Sequence, residues 1–349
     1  MSNVSINNLN ILYIGTNSGT SLDRARTLER IGHRVKLIDP MNFFPTNQII
    51  KNIIYKSIFE LGANIYEPYI LFKFYHLIKN QYFDVIWNNQ CEFIGPTLAK
   101  ILKKYSNKLV TYINDDPFGQ RDKQRFALFR RSLKFYDLTV VVREPNVKEA
   151  YNWGAQKVIK VLLTADEITH HPLILTNDDY IKWANEIIFI GTWFPERGPF
   201  FSKLIELNLP VIIYGERWYK AREWPILKKI WKGPGLYGKE YVKAIQSAKI
   251  CLGLLSKGNR DLHTSRSTEI PYIGGLLCAE RTQEHLEMYH EDVEAIFWET
   301  PEECAKKCKE LLEDEEKRKR VALAGHKRCI ESQYTNEPTM QKIINQLYS

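Results

Sequence analysis

Residues 11–38 read strand, loop, helix, strand, and that order constrains the fold more than any other feature of the chain. Ile11-Leu12-Tyr13-Ile14 is a short apolar run ending in Gly15-Thr16-Asn17-Ser18-Gly19, a strand entering a loop of small residues. Ser21 or Asp23 caps the next helix, Ala25, Leu28 and Ile31 recur at helical spacing, and Gly32 ends it. Val35-Lys36-Leu37-Ile38-Asp39 is then a second strand. A strand that returns through a helix lies parallel to the first, so the unit predicts a parallel sheet. Further strands at 83–87, 109–113 and 138–142, with helical stretches between, make a doubly wound α/β domain.

The second half repeats the alternation. Strands are expected at 186–191, 211–214, 250–254 and 276–279, with helices at 199–207 and 241–248 and another starting at Glu269. After Pro301 the chain is helical and charged as far as Glu331, and 339–347 is a last amphipathic helix. A length of 349 residues suits two such domains, each with its own core. The expected division is a first domain at 1–165, a linker at 166–180, a second domain at 181–332, and a helix in 333–349 that docks back on the first. Two doubly wound domains facing across a cleft bind ligands at the carboxyl ends of their strands.

Composition excludes several classes. Every apolar run is broken well before the ~20 residues that span a bilayer, and the polar, uncharged start carries no secretory signal. Six cysteines without a CxxC pair read as reduced thiols, so the expected location is the cytoplasm. Cys304 and Cys308 read as packing residues and His170-His171 as solvated linker histidines, and no metal is expected. The net charge of +8 is uneven, since residues 51–134 hold 14 Lys or Arg against 7 Asp or Glu. That surplus fits an anionic partner (a membrane surface, a phosphorylated lipid or a nucleic acid) or else a solvated basic face. A basic helix at 121–134 is expected to pack Phe126, Phe129 and Leu133 inward and turn its cations outward. The Phe, Tyr and Ile of 43–83 form either an acceptor groove or a helix core. Together these allow an acceptor that is anionic or membrane-linked, with peripheral membrane contact.

Two loops carry candidate chemistry. After the first strand, a dinucleotide fingerprint needs GxGxxG, and Asp39 has the matching acidic place. Only Gly15 and Gly19 are present, with Asn17 where the middle glycine belongs, so the loop reads as small residues lining the cleft. The denser cluster lies at 257–281, where an apolar strand enters a polar loop that opens a helix. Thr264, Ser265, Ser267 and Thr268 leave backbone N–H groups accessible at a helix N-terminus, a place for phosphate oxygens. Arg260, His263 and Arg266 add cationic donors, and Asp261 and Glu269 are two carboxylates with seven residues between them.

The run Asn259-Arg260-Asp261-Leu262-His263…Arg266-Ser267-Thr268-Glu269-Ile270-Pro271…Gly274-Gly275-Leu276-Leu277 resembles the donor-site signature of the CgeB-like branch of group 1 glycosyltransferases. Phe189-Ile190-Gly191-Thr192-Trp193…Glu196-Arg197 and Ile213-Tyr214-Gly215…Trp218 match the same pattern, as do Asn114-Asp115-Asp116-Pro117-Phe118 and Asn146…Gly154-Ala155. The resemblance is strongest over 186–326. It implies the GT-B fold and transfer of a sugar from a nucleotide-diphosphate donor to an acceptor hydroxyl, with retention and without a metal or further cofactor.

Carried over by position, the resemblance puts Glu269 on the donor ribose, Asp261 (in place of the usual Glu) on the transferred sugar, and Arg197 on the diphosphate. Gly191, Gly215, Arg260, His263, Thr264, Ser265, Arg266 and Gly15 complete the expected nucleotide-sugar site. Tyr214, Trp218 and Tyr237 either edge the nucleobase or pack in the core. Thr268 stands where the branch usually has an aromatic residue. Asp115 and Asp116 either act on acceptor or sugar hydroxyls, one of them as general base, or form an Asx turn before Pro117. Alternatives to this reading are a nucleic-acid-binding or DNA-modifying protein using the basic first half, a nicotinamide oxidoreductase, and a sugar-nucleotide sensor without activity.

Overall fold

The computed structural model describes residues 8–349, so the polar start at 1–7 lies outside it. The chain forms two compact units. One ends at Leu162 and takes in Gly258–Arg260 and Asn336–Ser349; the other is Leu163–Lys257 with Asp261–Thr335.

Unit 1 is built on β1 (Asn10–Ile14), β2 (Arg34–Ile38), β3 (Phe83–Asn89), β4 (Ser106–Tyr112), β5 (Leu138–Val141) and β6 (Val158–Lys160). Around them run α1 (Gly19–Arg30), α2 (Gln48–Leu61), α3 (Glu67–Ile78), α4 (Pro96–Lys104), α5 (Ala127–Ser132) and α6 (Glu144–Asn152). All strands are parallel, in the order β2-β1-β3-β4-β5-β6. Helices on both faces bury the central strands from each side, which explains their continuous apolar runs. Trp87 of β3 stacks between Tyr13 of β1 and Tyr112 of β4, a row of rings across three neighbouring strands.

Unit 2 repeats the plan with β7 (Asn185–Ile190), β8 (Val211–Tyr214), β9 (Trp231–Gly233), β10 (Ala248–Gly253), β11 (Leu277–Glu280) and β12 (Ile296–Trp298). Its helices are α7 (Asn177–Trp183), α8 (Arg197–Glu206), α9 (Trp224–Leu227), α10 (Gly238–Ser247), α11 (Arg266–Ile273), α12 (Gln283–Met288), α13 (Pro301–Glu313) and α14 (Glu315–Glu331). The parallel order is β12-β11-β10-β7-β8-β9. The strand order reverses direction at β1/β3 in one unit and at β7/β10 in the other, and such switch points open crevices for ligands. The last helix, α15 (Asn336–Tyr348), belongs to unit 1, where Glu337 pairs with Arg30 of α1 at 2.7 Å.

Three elements differ from expectation. The 121–134 helix shrinks to α5, preceded by turns. The 166–180 segment is fastened to unit 2 by a bridge from Ala165 to Thr335, by paired bonds between Leu173 and Gln246, and by the capping box that opens α7. The three-residue strands β6, β9 and β12, all at sheet edges, are too short to show a period. No helix among the described residues is long and apolar enough to cross a membrane.

Candidate active site

In unit 2 the switch point is organised by close backbone approach. Gly191 follows β7 and Gly215 follows β8; at Gly215, with φ +153°, a Cβ would lie 1.9 Å from the Gly191 carbonyl oxygen, so only glycine fits. The Trp218 indole donates to that same carbonyl at 3.0 Å and is buried, which makes it core rather than base-binding.

Arg197, the first residue of α8, turns its guanidinium back into the switch point. Nη1 donates to the Thr192 carbonyl at 2.6 Å, and Nη2 to those of Leu254 and Leu255 at 3.0 and 3.1 Å. Its Nε is buried with no partner, and no carboxylate among the described residues forms an ion pair with it. Burial lowers its pKa to about 10, which still leaves it protonated at neutral pH. It is a buried cation held by carbonyl dipoles and by the ring faces of Phe189 and Phe194, with Glu196, Glu280 and Asp261 near enough to favour its charge but none in ion-pair contact.

Glu269, in the first turn of α11, is held from three sides. Its Oε2 accepts from Tyr241 at 2.9 Å and from Arg266 at 2.8 Å, while Oε1 lies 3.6 Å from His170 Nε2. Burial pushes this carboxyl up, but Arg266, His170 and Tyr241 together hold it below its ordinary value. Oε1 is the oxygen with capacity left for a ligand hydroxyl. Arg266 also donates to the Ile190 carbonyl at 3.3 Å, next to the β7 end. His170 is therefore not a solvated linker residue. It is buried, with Nδ1 accepting from the Asp166 N–H at 2.8 Å, so its Nε2 carries the proton facing Glu269. His170 and Tyr241 are the site residues that sequence reading missed.

Two of the expected cationic donors have other work. His263 accepts the Leu163 N–H at Nε2 (2.9 Å) and meets Glu284 at Nδ1 (2.5 Å), a buried strut joining distant segments. Arg260 belongs to unit 1, where it binds Asp116 at 2.5 and 2.9 Å and Glu149 at 2.9 Å. Thr264 Oγ1 accepts the Arg266 N–H at 3.2 Å, whereas Ser265, the residue before α11, makes no side-chain cap. Asp261 is buried in unit 2, Tyr214 is half-buried against Trp183, and Tyr237 is exposed just before α10.

Unit 1 places a cavity of about 320 Å³ at the β1/β3 switch point, reached by residues that follow β1, β2, β3 and β4. Gly15 lies in its wall; a Cβ there would meet the Ser21 hydroxyl at 2.6 Å. Ser21 Oγ, Asn89 Oδ1 and Asn114 Oδ1 line the cavity and are buried without a hydrogen-bond partner. Asp39 accepts the N–H groups of Asn17 (3.1 Å) and Met41 (2.9 Å), so the acid that a dinucleotide site would use is already spent on local backbone. The only arginine or lysine in the lining is Arg125. It is engaged by Glu92 (2.7 Å), Asp115 (2.7 Å) and Asp122 (3.2 Å), so this lining offers no unpaired cation.

Asp115 and Asp116 are likewise committed. Asp115 accepts from Gln90 and Arg125 and pairs with Arg121 at 3.2 Å. Burial pushes it up, yet Arg125 and Arg121 outweigh this and hold it at about 2. Asp116 accepts the N–H groups of Phe118 and Gly119, the Asx turn, and the Arg260 fork besides. Carboxylates held in the charged form by arginine are weak proton acceptors, so neither suits a general base. Arg121 and Arg125, expected on an outward face, instead turn into this network.

Cys278, Cys304 and Cys308 bring their sulfurs within 4.8 Å of one another, the one thiol group of metal-binding size among the described residues. All three are fully buried in the apolar core of unit 2.

Residues 197–345 match the family model described as Glycosyl transferase-like. The match begins at Arg197 and covers under half of the chain. No curated protein matches by sequence. Among solved structures, sucrose-phosphate synthase from Thermosynechococcus elongatus superposes with a TM-score of 0.67 at 12% identity, over 97% of this chain and 98% of that one. A glycosyltransferase from Rickettsia africae gives 0.66 at 14%, over 98% and 99%. Anabaena HepE in complex with UDP-glucose gives 0.65 at 12%, over 97% and 99%. The chain has the GT-B fold, with two parallel six-stranded sheets and flanking helices.

Proposed function

We propose that the chain is a glycosyltransferase that binds a UDP-sugar on unit 2 and an acceptor hydroxyl in the cavity of unit 1. The observation that carries this reading is Arg197: a protonated guanidinium buried at a switch point and in ion-pair contact with no carboxylate among the described residues. An anionic ligand recovers part of what burying that charge costs, and a departing nucleoside diphosphate is such an anion. UDP-glucose in HepE supports uridine as the base.

In this reading Arg197, with Arg266 beside it, stabilises the diphosphate in place of a metal. Glu269 accepts a ribose hydroxyl at Oε1, and Asp261 contacts the transferred sugar. The Ser265 N–H donates to a phosphate oxygen, that of Thr264 being spent on the Ser267 hydroxyl at 3.0 Å, while Tyr214 and Tyr237 edge the base. Gly191 and Gly215 keep the backbone low enough for close approach. The CgeB-like branch of the group 1 enzymes is the best-fitting assignment within the fold.

The acceptor is a neutral hydroxyl compound. Ser21, Asn89 and Asn114 offer oxygen atoms to its hydroxyl protons, and Tyr55, Phe59 and Phe93 give apolar walls. Because the carboxylates of this network are paired, the acceptor proton passes to the leaving diphosphate: the sugar–phosphate bond breaks, the sugar–acceptor bond forms, and a phosphate oxygen gains the proton. Attack from the leaving-group side gives retention. Calorimetric titration with UDP, UMP and uridine tests the donor assignment. Affinity should fall steeply in that order, and equal or absent binding of UDP and uridine would sink the proposal.

A further inference from the structure

Exposed apolar side chains are crowded into one short stretch of unit 1. Of 27 large hydrophobic residues exposed among the described residues, 11 lie between Ile49 and Leu77. Helix α2 buries only Ile54 and Ile58, and α3 only Ile70, Phe74 and Ile78. Ile49, Ile53 and Phe72 are 70%, 61% and 58% exposed. Single exposed apolar residues need no explanation, but this density marks a contact surface.

The charge around it is net positive. Lys51, Lys56, Lys73 and Lys79 stand against Glu60 and Glu67, and Glu60 is already paired with Lys123 at 2.6 Å. Arg131 reaches Asn64, between the two helices, at 2.5 Å and adds a further cation. A second copy of the chain would set like charges against each other, which disfavours self-association through this face.

We infer that the outward faces of α2 and α3 dock on an anionic lipid bilayer. Ile49, Ile53 and Phe72 enter the acyl boundary, Tyr69 and Tyr75 sit at headgroup depth, and the lysines reach lipid phosphates along their apolar stems. The other flank of α2, through Tyr55, Ile58 and Phe59, lines the unit 1 cavity. Docking therefore brings that cavity to the membrane surface, where a lipid-carried hydroxyl is within reach.

Sedimentation of the full chain with vesicles tests this without any nucleotide present. Vesicles of phosphatidylcholine mixed with phosphatidylglycerol should carry the protein down, less so in high salt, and phosphatidylcholine alone should not. Lys56→Gln with Lys79→Gln should weaken binding about 30-fold, from about one surface contact per lysine. Ile49→Ser, Ile53→Ser and Phe72→Ser together should abolish it. Both variants should keep the parent melting temperature and UDP affinity, because the side chains are exposed and lie outside the cavity. Failure to bind the mixed vesicles, or equal binding to both kinds, overturns the inference. So does a dimer that the triple variant dissociates. Vesicle binding by a protein that takes up no UDP would support docking while sinking the donor assignment.

Discussion

Arg125 and Arg197 are both arginines set deep at the carboxyl end of a parallel sheet, one in each unit, and they keep opposite company. Arg125 meets three carboxylates, Glu92, Asp115 and Asp122. Burial pulls its pKa down, but those carboxylates outweigh it and raise it. Arg197 meets three backbone carbonyls and the rings of Phe189 and Phe194, forms no ion pair with a carboxylate among the described residues, and burial lowers it to about 10. The difference separates two uses of one side chain. A cation surrounded by acids holds a fold together and has nothing left for a ligand. A cation held by carbonyls and ring faces, with no carboxylate in ion-pair contact, leaves its charge available, and that is where an anion gains most.

Removing each guanidinium should give the largest effects. Arg125→Ala leaves Glu92 without its cation and Asp115 and Asp122 with Arg121 alone, and should cost about 3 kcal/mol of stability, read by denaturant unfolding. Arg197→Ala strands backbone carbonyls rather than a carboxylate and also removes a buried charge, so it should cost less. Equal losses in the two variants would erase the distinction.

Ligand binding should show the reverse. Arg197→Ala removes charge-assisted bonds worth about 1.5–3 kcal/mol, so UDP affinity should drop ~10- to 150-fold. Uridine affinity should barely change. A uniform loss across UDP, UMP and uridine would mean that Arg197 shapes the unit rather than meeting phosphate.

Acid sharpens the unit 1 side. Asp115 has its ordinary value of 3.8 lowered to about 2 by the arginines that outweigh its burial. Folding therefore favours its charged form: the stabilisation is complete above about pH 4 and is lost as pH falls towards 2. The loss is about 2 kcal/mol. Asp115→Asn should flatten that part of the stability-against-pH curve, and an unchanged slope would show that the pairing contributes nothing.

The smallest effect on binding belongs to Asp261. Asp261→Asn should leave UDP affinity unchanged, since UDP carries no sugar, while lowering turnover with a UDP-sugar. Glu269→Gln should weaken UDP itself by about tenfold, one hydrogen bond to a charged group. Identical calorimetric losses in the two variants would remove the assignment of Asp261 to the sugar.

Much of the fold was legible because parallel strands buried on both faces must be apolar runs and glycines mark the turns that follow them, whereas the expected cap at Ser21 or Asp23 falls inside α1, which opens after Ser18 without a side-chain cap. The strands at 11–14, 83–87, 109–113 and 186–190 and the final helix carry those signals strongly. The basic run at 121–134 misled because a charge count cannot say where each cation points. Arg121 and Arg125 find acids at 115 and 122, and the helix shortens to six residues. His170 misled for the same reason, since its partners Tyr241 and Glu269 lie far along the chain.

Local sequence was enough to specify two doubly wound units, the glycine-marked strand ends and the loop that carries Asp261 and Glu269. Those features depend on backbone geometry and on burial period, which act over a few neighbouring residues. Tertiary structure alone decided which charges are spent and which are available. Arg260 reaches Asp116 across 144 residues, and Leu163 reaches His263 across 100. Such pairings form only after the chain has closed, because a charge takes whichever partner the folded backbone brings within hydrogen-bond distance.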